Sequence, residues 1–498
     1  MQNRIQAAAG IHSRSDAGIE ENQHRLKVAA AVTVERLAAL VADDTAAVTF
    51  QGAGASLYAG FTGIALALRL AADVLGSDYA EAAAARALSR AAAASAREPL
   101  AQPGLFTGTA GLAWVLAVFA DRDERYRGAL DRLTPQLCEQ ILDWHRTEPG
   151  SGVPFADFDL ISGAAGQLLA LLHPAVHRDG LHQRAAQRLT EYLTRLTETD
   201  GAGRPGWFIS PNWHPAGFDW YLEAFPHGMY NLGLAHGAPG ILRALSAAVT
   251  AGIQAERASQ GIRALADDLR EACLPGYDAP CWAAGLAATA GSGRPDLPAT
   301  GTPARATWCY GAPGVAAALL TVPEQVCDVT DLAAAALQGA FRGLAEMPAA
   351  ALPGVLSPTT CHGLSGSGTV ALAAQRVFGN RRVLGNPGVL GNPGGAGGEG
   401  WREVVSRLAA QLLEHADPDH RYLFADRPEE GRTRDDPGLL TGAAGVLCTL
   451  VSLISADAAA DPWLDLLCGL PSAAGSRSSA EGRPSPAESR RPLAEGRR

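Results

Sequence analysis

Seven times along this 498-residue chain, a Gly-x-x-Gly turn opens directly onto an apolar, alanine-rich run. The turns are Gly60-Phe-Thr-Gly63, Gly108-Thr-Ala-Gly111, Gly163-Ala-Ala-Gly166, Gly237-Ala-Pro-Gly240, Gly311-Ala-Pro-Gly314, Gly363-Leu-Ser-Gly366 and Gly442-Ala-Ala-Gly445. Their first glycines lie 48, 55, 74, 74, 52 and 79 residues apart. The four letters alone carry little weight, since 56 glycines produce such matches by chance. The apolar runs behind them, such as IALALRLAADVL, LAWVLAVFA and VLCTLVSLI, carry more. A unit recurring at this length is a supersecondary element that buries its apolar face only against its neighbours.

Between the turns lie more polar segments at 27–42, 79–96, 126–145, 182–195, 255–272, 331–346 and 401–415. Their apolar residues recur at three- and four-residue spacing, as in Val34, Leu37, Ala38 and Val41, which marks amphipathic helices. Val, Ile and Tyr do not alternate with polar residues over any long run, so strands are scarce. Each repeat thus reads as an outer amphipathic helix, a loop, the glycine turn, and an inner helix apolar nearly all round. A helix apolar on every face must be buried. An open α-solenoid would leave the inner helices partly wet. The pattern therefore predicts an all-α fold, a closed α/α toroid of seven inner and seven outer helices over residues 1–470.

Two segments stand outside that scheme. Residues 379–400 repeat VLGNPG and read as a flexible Gly-rich insert, and 471–498 read as a disordered tail poor in large apolar residues. The chain as a whole is not low-complexity, because 47% of it is hydrophobic and only 18% charged. Lys27 is the only lysine among 41 Lys and Arg, the bias of a GC-rich bacterial genome. The net charge of −10 argues against a nucleic-acid partner, which requires a basic face. No secretory h-region opens the chain, and no run is long enough for an integral membrane segment. The expected location is cytoplasmic, with room for a peripheral place in a membrane-associated complex.

Three turns carry reactive side chains where the others carry Leu, Thr or Ser. They read Leu-Ala-His236 before Gly237, Trp308-Cys309-Tyr310 before Gly311, and Thr360-Cys361-His362 before Gly363. Asp159 precedes the third turn. In a closed toroid equivalent turns share one mouth, so these residues converge. Taken singly, a buried cysteine reads as a small core residue. The repeat places Cys309 and Cys361 at the same turn position, which favours a Cys₂His set with His362. That set suits Zn²⁺ and leaves its fourth position open. Two thiolates nearly cancel the ion's charge, which keeps a further bound thiolate nucleophilic; hydrolytic zinc sites more often use His and carboxylate.

His236 alone reads as a structural histidine. Asp159 is the acid that would set its tautomer and raise its pKa. Arg305 reads either as a surface cation or, four residues before Cys309, as a group that stabilises developing negative charge. Cys138, Cys273, Cys281, Cys327, Cys448 and Cys468 fall off the turn position and read as structural, as do His145, His173 and His415. Trp207, Trp213, Trp220 and Tyr221 crowd one Gly/Pro-rich stretch. They form either a self-packed surface loop or a wall that contacts a peptide.

The segments NLGLAHGAPG, WCYGAPG and CHGLSGSG resemble the lanthipeptide (lantibiotic) synthetase component C family, the LanC-like cyclases, and the likeness spans residues 37–453. It implies a double ring of helices and one catalytic Zn²⁺ held by Cys309, Cys361 and His362. It implies acid/base roles for His236 and Asp159, with Arg305 and Tyr310 lining the site. The implied reaction adds peptide cysteine thiolates to dehydroalanine or dehydrobutyrine in a dehydrated precursor peptide, giving thioether rings. A free-standing cyclase needs a separate dehydratase, and a peptide exporter is a further expected partner. Two alternatives remain open. One is a related enzyme adding glutathione thiols; the other is a non-catalytic scaffold for the dehydratase or exporter. The α/α-barrel glycosidases and terpene cyclases fit less well, because Asp159 is the only acid at such a turn.

Overall fold

The structure is a computed structural model that describes residues 2–43, 45, 54–214, 220–298, 300–346, 357–379, 399–428, 432–456 and 461–470. Most of the 379–400 insert and all of the 471–498 tail lie outside these residues. The helices in chain order begin with α1 (Gln2–Ala42), α2 (Phe61–Leu75), α3 (Asp78–Arg97), α4 (Thr109–Arg122) and α5 (Arg127–Asp143). The one-turn α6 (Phe155–Phe158), α7 (Ala164–Leu171), α8 (Gly180–Leu196) and the short α9 (Trp220–Ala224) follow. Next come α10 (Ala238–Thr250), α11 (Ala255–Glu271), α12 (Ala312–Leu319) and α13 (Thr330–Glu346). The last four are α14 (Leu364–Phe378), α15 (Glu399–Leu413), α16 (Ala443–Ile454) and α17 (Pro462–Cys468).

Seven of these form an inner ring. Helix α2 packs on α4, α4 on α7, α7 on α10, α10 on α12, α12 on α14, α14 on α16, and α16 again on α2. The ring is therefore closed, as the repeat predicts. Each inner helix carries an outer partner: α3, α5, α8, α11, α13 and α15 lie against α2, α4, α7, α10, α12 and α14, and α1 covers α16. Residues 109–120 of α4 are all buried, whereas α3 buries only Ala80, Ala83, Ala84, Ala87, Leu88 and Ala91 on one stripe. Ser77 caps α3, with Asp78 and Glu81 in its first turn and Arg97 in its last, which suits the helix dipole.

One boundary differs from the sequence reading. Helix α1 starts at Gln2, well before position 27, where the sequence reading begins it. The preceding residues favour helix through their alanines but display no stripe to read. Strands are indeed scarce among the described residues. Met229–Asn231 (β1) pairs antiparallel with Gly285–Ala287 (β2). No described helix is long and apolar enough to cross a membrane.

The turns are fastened to one another by a circle of backbone hydrogen bonds. Tyr58 N–H donates to Phe106, Phe106 to Ile161, Leu160 to Ala235, Ala235 to Cys309, Cys309 to Cys361, Cys361 to Leu440, and Leu440 back to Tyr58. The distances run from 2.8 Å to 3.4 Å. Every residue here except Leu160 stands two places before the first glycine of its turn.

That circle explains the glycines. The first glycine of each motif is the N-cap of an inner helix. The second faces the preceding turn at close range. A Cβ on Gly111 would come 2.8 Å from Leu57 Cβ, on Gly166 2.7 Å from Leu105 Cβ, and on Gly366 2.8 Å from Trp308 Cβ. Each would also strike a carbonyl of its own turn. Adjacent turns can share backbone bonds only because no side chain separates them. From below, α17 packs on α14 and α16. Its Leu467 carbonyl accepts from Trp308 Nε1 at 2.9 Å and from the buried Arg243 at 3.1 Å.

Candidate metal centre

Two turn positions make the site. The residues two places before the glycines are Tyr58, Phe106, Ile161, Ala235, Cys309, Cys361 and Leu440, and they carry the backbone circle. The residues one place before are Ala59, Thr107, Ser162, His236, Tyr310, His362 and Thr441. All seven of the latter retain solvent access, although the glycines beside them are buried. They form the floor of the mouth, and three of them bear groups capable of acid/base or metal chemistry.

Cys309, Cys361 and His362 come together as the sequence predicts. One ligand atom from each lies within 4.8 Å of the others, and Cys309 Sγ is 3.2 Å from His362 Nδ1. A tetrahedral zinc ion spaces such ligand atoms roughly 3.5–3.8 Å apart. Donor chemistry and spacing both fit that ion. The hydrogen bond from Cys361 draws the buried Cys309 thiol well below its ordinary value, with His362 adding to the effect against the opposing cost of burial. Cys361, which supplies that bond, is raised. The shift favours the thiolate at Cys309, the form a metal binds. Thr307 Oγ1, 3.7 Å from Cys309 Sγ, supports it further.

One turn away, His236 Nδ1 meets Asp159 Oδ2 at 2.6 Å. Asp159 is 1% exposed. Its other oxygen accepts from the N–H groups of Ser162 at 2.7 Å and Gly163 at 2.9 Å. These bonds fix the carboxylate and so the ring. Burial lowers the pKa of His236, but the hydrogen bond and charge of Asp159 outweigh it and hold the imidazole above 6.5. Phe155 packs on the ring at a centroid distance of 4.9 Å. With Nδ1 committed to Asp159, Nε2 is the nitrogen available for proton transfer.

Tyr310 flanks His362. Its hydroxyl accepts from Asn231 Nδ2 at 3.1 Å and shares a hydrogen bond with Tyr221. Burial and the neighbouring Tyr221 keep the phenol well above its ordinary value, so it stays protonated. Arg305 is exposed in the loop leading to Cys309, and its carbonyl accepts from Thr307 N–H at 2.8 Å. The aromatic stretch divides. Trp207 is buried edge-on to Tyr230 at 4.8 Å, while Trp213 and Trp220 are 42% and 51% exposed. Tyr221, stacked on Trp220 at 3.9 Å, links Trp220 to Tyr310.

Sequence reasoning missed Phe155, Asn231 and the link from Tyr221. Asn231 stands six places before Gly237, as Arg305 does before Gly311, and that register was the available signal. His173, expected to be structural, is buried against Trp114 at 5.6 Å, and its Nδ1 accepts from Ala175 N–H at 3.2 Å.

A family model described as lanthionine synthetase C-like protein matches residues 52–468. Among solved structures, nisin cyclase shares the fold at a TM-score of 0.64 and 20% identity, covering 87% of this chain and 98% of that one. No curated protein matches the chain. Since the family match runs from ahead of the first glycine turn to the end of α17 and takes in all seven turns, the chain belongs to the lanthionine synthetase C-like family.

Proposed function

We propose that the chain is a zinc-dependent cyclase that joins cysteine thiols to dehydroalanine or dehydrobutyrine within a dehydrated peptide, forming lanthionine or methyllanthionine rings. The observation that carries this reading is the Cys309–Cys361–His362 cluster one turn from a histidine held by a buried carboxylate. Zinc on those three ligands supplies a fourth position at which a substrate thiol ionises at neutral pH.

The chain's own residues account for the rest. The thiolate adds to the β-carbon, the π pair moves toward the carbonyl, and the α-carbon then takes a proton. His236 holds that proton on Nε2. Asp159 keeps the tautomer and orients the ring, since its own geometry is fixed by Ser162 and Gly163. Tyr310, tied to Asn231, lines the site beside His362. Arg305 is assigned the stabilisation of charge developing on the substrate.

The partners under this reading are the precursor peptide, a dehydratase that prepares it, and an exporter that removes the product. The compartment is the cytoplasm, where thiols stay reduced. The test is to incubate the purified protein with zinc and a dehydrated, cysteine-containing peptide, then count free thiols. Loss of thiol at unchanged peptide mass is expected. Addition of glutathione in place of ring closure would favour the intermolecular alternative, and no reaction would favour the scaffold.

A further inference from the structure

The metal cluster spans the fifth and sixth turns, so two other turns flank it. On one side is the fourth, reached through the Ala235–Cys309 bond and presenting His236. On the other is the seventh, reached through the Cys361–Leu440 bond at 2.8 Å and presenting Thr441 at the same position. His236 is backed by the carboxylate of Asp159. Thr441 is backed by that of Asp436, whose Oδ2 lies 2.7 Å from Thr441 Oγ1 and whose Oδ1 accepts from Gly438 N–H at 2.6 Å. No step assigned to His236, Asp159, Tyr310 or Arg305 involves this second carboxylate-backed group.

Tyr58 completes it. Among the eight residues of the backbone circle it is the one whose side chain stands exposed, at 37%. Its carbonyl accepts from both Leu439 at 2.9 Å and Leu440 at 3.3 Å, which pins the main chain beneath the side chain. Its hydroxyl oxygen accepts from Thr441 Oγ1 at 3.4 Å. The threonine has one proton, and the carboxylate is the stronger acceptor for it. The longer contact to Tyr58 shares that proton and orients the phenol oxygen without using the phenol's own proton. The phenol is therefore held at the mouth with its proton free to meet a stronger acceptor.

We propose that Tyr58, positioned by Thr441 and Asp436, donates a hydrogen bond to the carbonyl oxygen of the dehydro residue on the side of the metal cluster opposite His236. The proposal rests on the cyclase reading above. The reaction requires such a donor. As the C–S bond forms at the β-carbon, the π pair moves onto the α-carbon and its carbonyl oxygen. Protonation of the α-carbon by His236 then restores the carbonyl, and Tyr58 keeps its own proton throughout. A donor aimed at the oxygen where charge develops acts on the transition state more than on the bound substrate. Burial raises the phenol pKa against the lowering by the Thr441 hydrogen bond, and nearby Asp436 and Cys361 add to the rise, so Tyr58 stays protonated.

The test uses the purified zinc-loaded protein and a dehydrated peptide, with kcat and KM read from thiol consumption. Tyr58→Phe is expected to lower kcat about a hundred- to a thousandfold with KM, zinc content and melting temperature close to wild type. Thr441→Val is expected to lower kcat by a smaller factor, because it only positions the phenol. A Tyr58→Phe protein with unchanged kcat overturns the proposal, as does a rise in KM alone. If Tyr58→Phe loses stability or zinc, Thr441→Val decides: lower kcat with zinc retained supports the proposal, and unchanged kcat overturns it. A wild-type protein that consumes no thiol overturns the cyclase reading together with this inference. Wild-type turnover with an indifferent Tyr58→Phe overturns this inference alone.

Discussion

The backbone N–H of Cys309 donates to the carbonyl of Cys361 at 3.3 Å, so two metal-ligand candidates are joined by the bond that fastens turn to turn around the ring. Their spacing is set by main chain, and the contacts of the Cys309 thiol lie with Cys361, His362 and Thr307 of the same two turns. Cys309→Ala and Cys361→Ala are therefore expected to fold with the toroid intact but without stoichiometric zinc, and thioether formation should vanish. Elemental analysis beside circular dichroism separates the two effects. Stoichiometric zinc in purified Cys361→Ala would contradict the assignment.

His236 gives the reaction a pH signature. Its pKa in the folded protein stands above 6.5 because Asp159 outweighs burial. A raised histidine pKa stabilises the fold fully below 6.5, and that contribution is lost as pH rises through the folded value. The proton needed for the α-carbon is lost over the same rise, so activity falls on the alkaline side. Asp159→Asn removes the charge that holds the proton. Its alkaline limb should move toward lower pH, and its rate should drop by about 10²–10⁴. A pH–rate profile together with NMR titration of His236 checks both, and an unmoved limb would remove Asp159 from the mechanism.

How much of this was legible depends on which residues the repeat exposes. Cys309, Cys361 and His362 could be read because the glycines index each turn, and a cysteine at an indexed position stands out against Leu or Ala. His236 and Asp159 were readable as a pair only through the closure of the ring, since their sequence separation says nothing of contact. Tyr58 and Thr441 occupy the same indexed positions but carry ordinary hydroxyls, which no pattern marks as chemical. Tyr221 was legible as an aromatic and not as a partner of Tyr310. It comes from an irregular stretch whose path is set by tertiary packing rather than periodicity. The start of α1 was missed for a related reason, because a helix without an apolar stripe has no period to detect.

Two buried histidines predict the behaviour in acid. His173, 8% exposed, and His415, 4% exposed, are each pushed down to about 4, mainly by burial and further by Arg127 and Arg427 respectively. Both are neutral in the fold, whereas the unfolded chain binds their protons below 6.5. Stability should therefore fall as pH drops from 6.5 toward 4, by roughly 3 kcal/mol for each histidine at full extent. His173→Gln cannot titrate, so its melting temperature should fall less steeply over that range. An identical pH slope in wild type and variant would remove His173 from the acid response.

The glycine turns permit a test of how the ring holds the metal. Gly366 follows Cys361 by five residues and faces the preceding turn. A Cβ there would lie 2.8 Å from Trp308 Cβ and would strike the Thr360 carbonyl. Trp308 cannot retreat easily, since it is fully buried and its Nε1 is bonded to Leu467. Thr360 and Trp308 each adjoin a candidate metal ligand, so relief of the clash is expected to move Cys361 away from Cys309. Gly366→Ala should thus cost about 1–3 kcal/mol of stability and also weaken zinc binding. Gly180→Ala serves as the control, because nothing lies within 4 Å of its added methyl at the start of α8. That variant should match wild type or gain up to about 1 kcal/mol. Competition with a zinc chelator, run beside thermal melting, compares the three proteins. If Gly366→Ala melted lower but held zinc as tightly as wild type, turn-to-turn contact would support the fold without setting the ligand geometry.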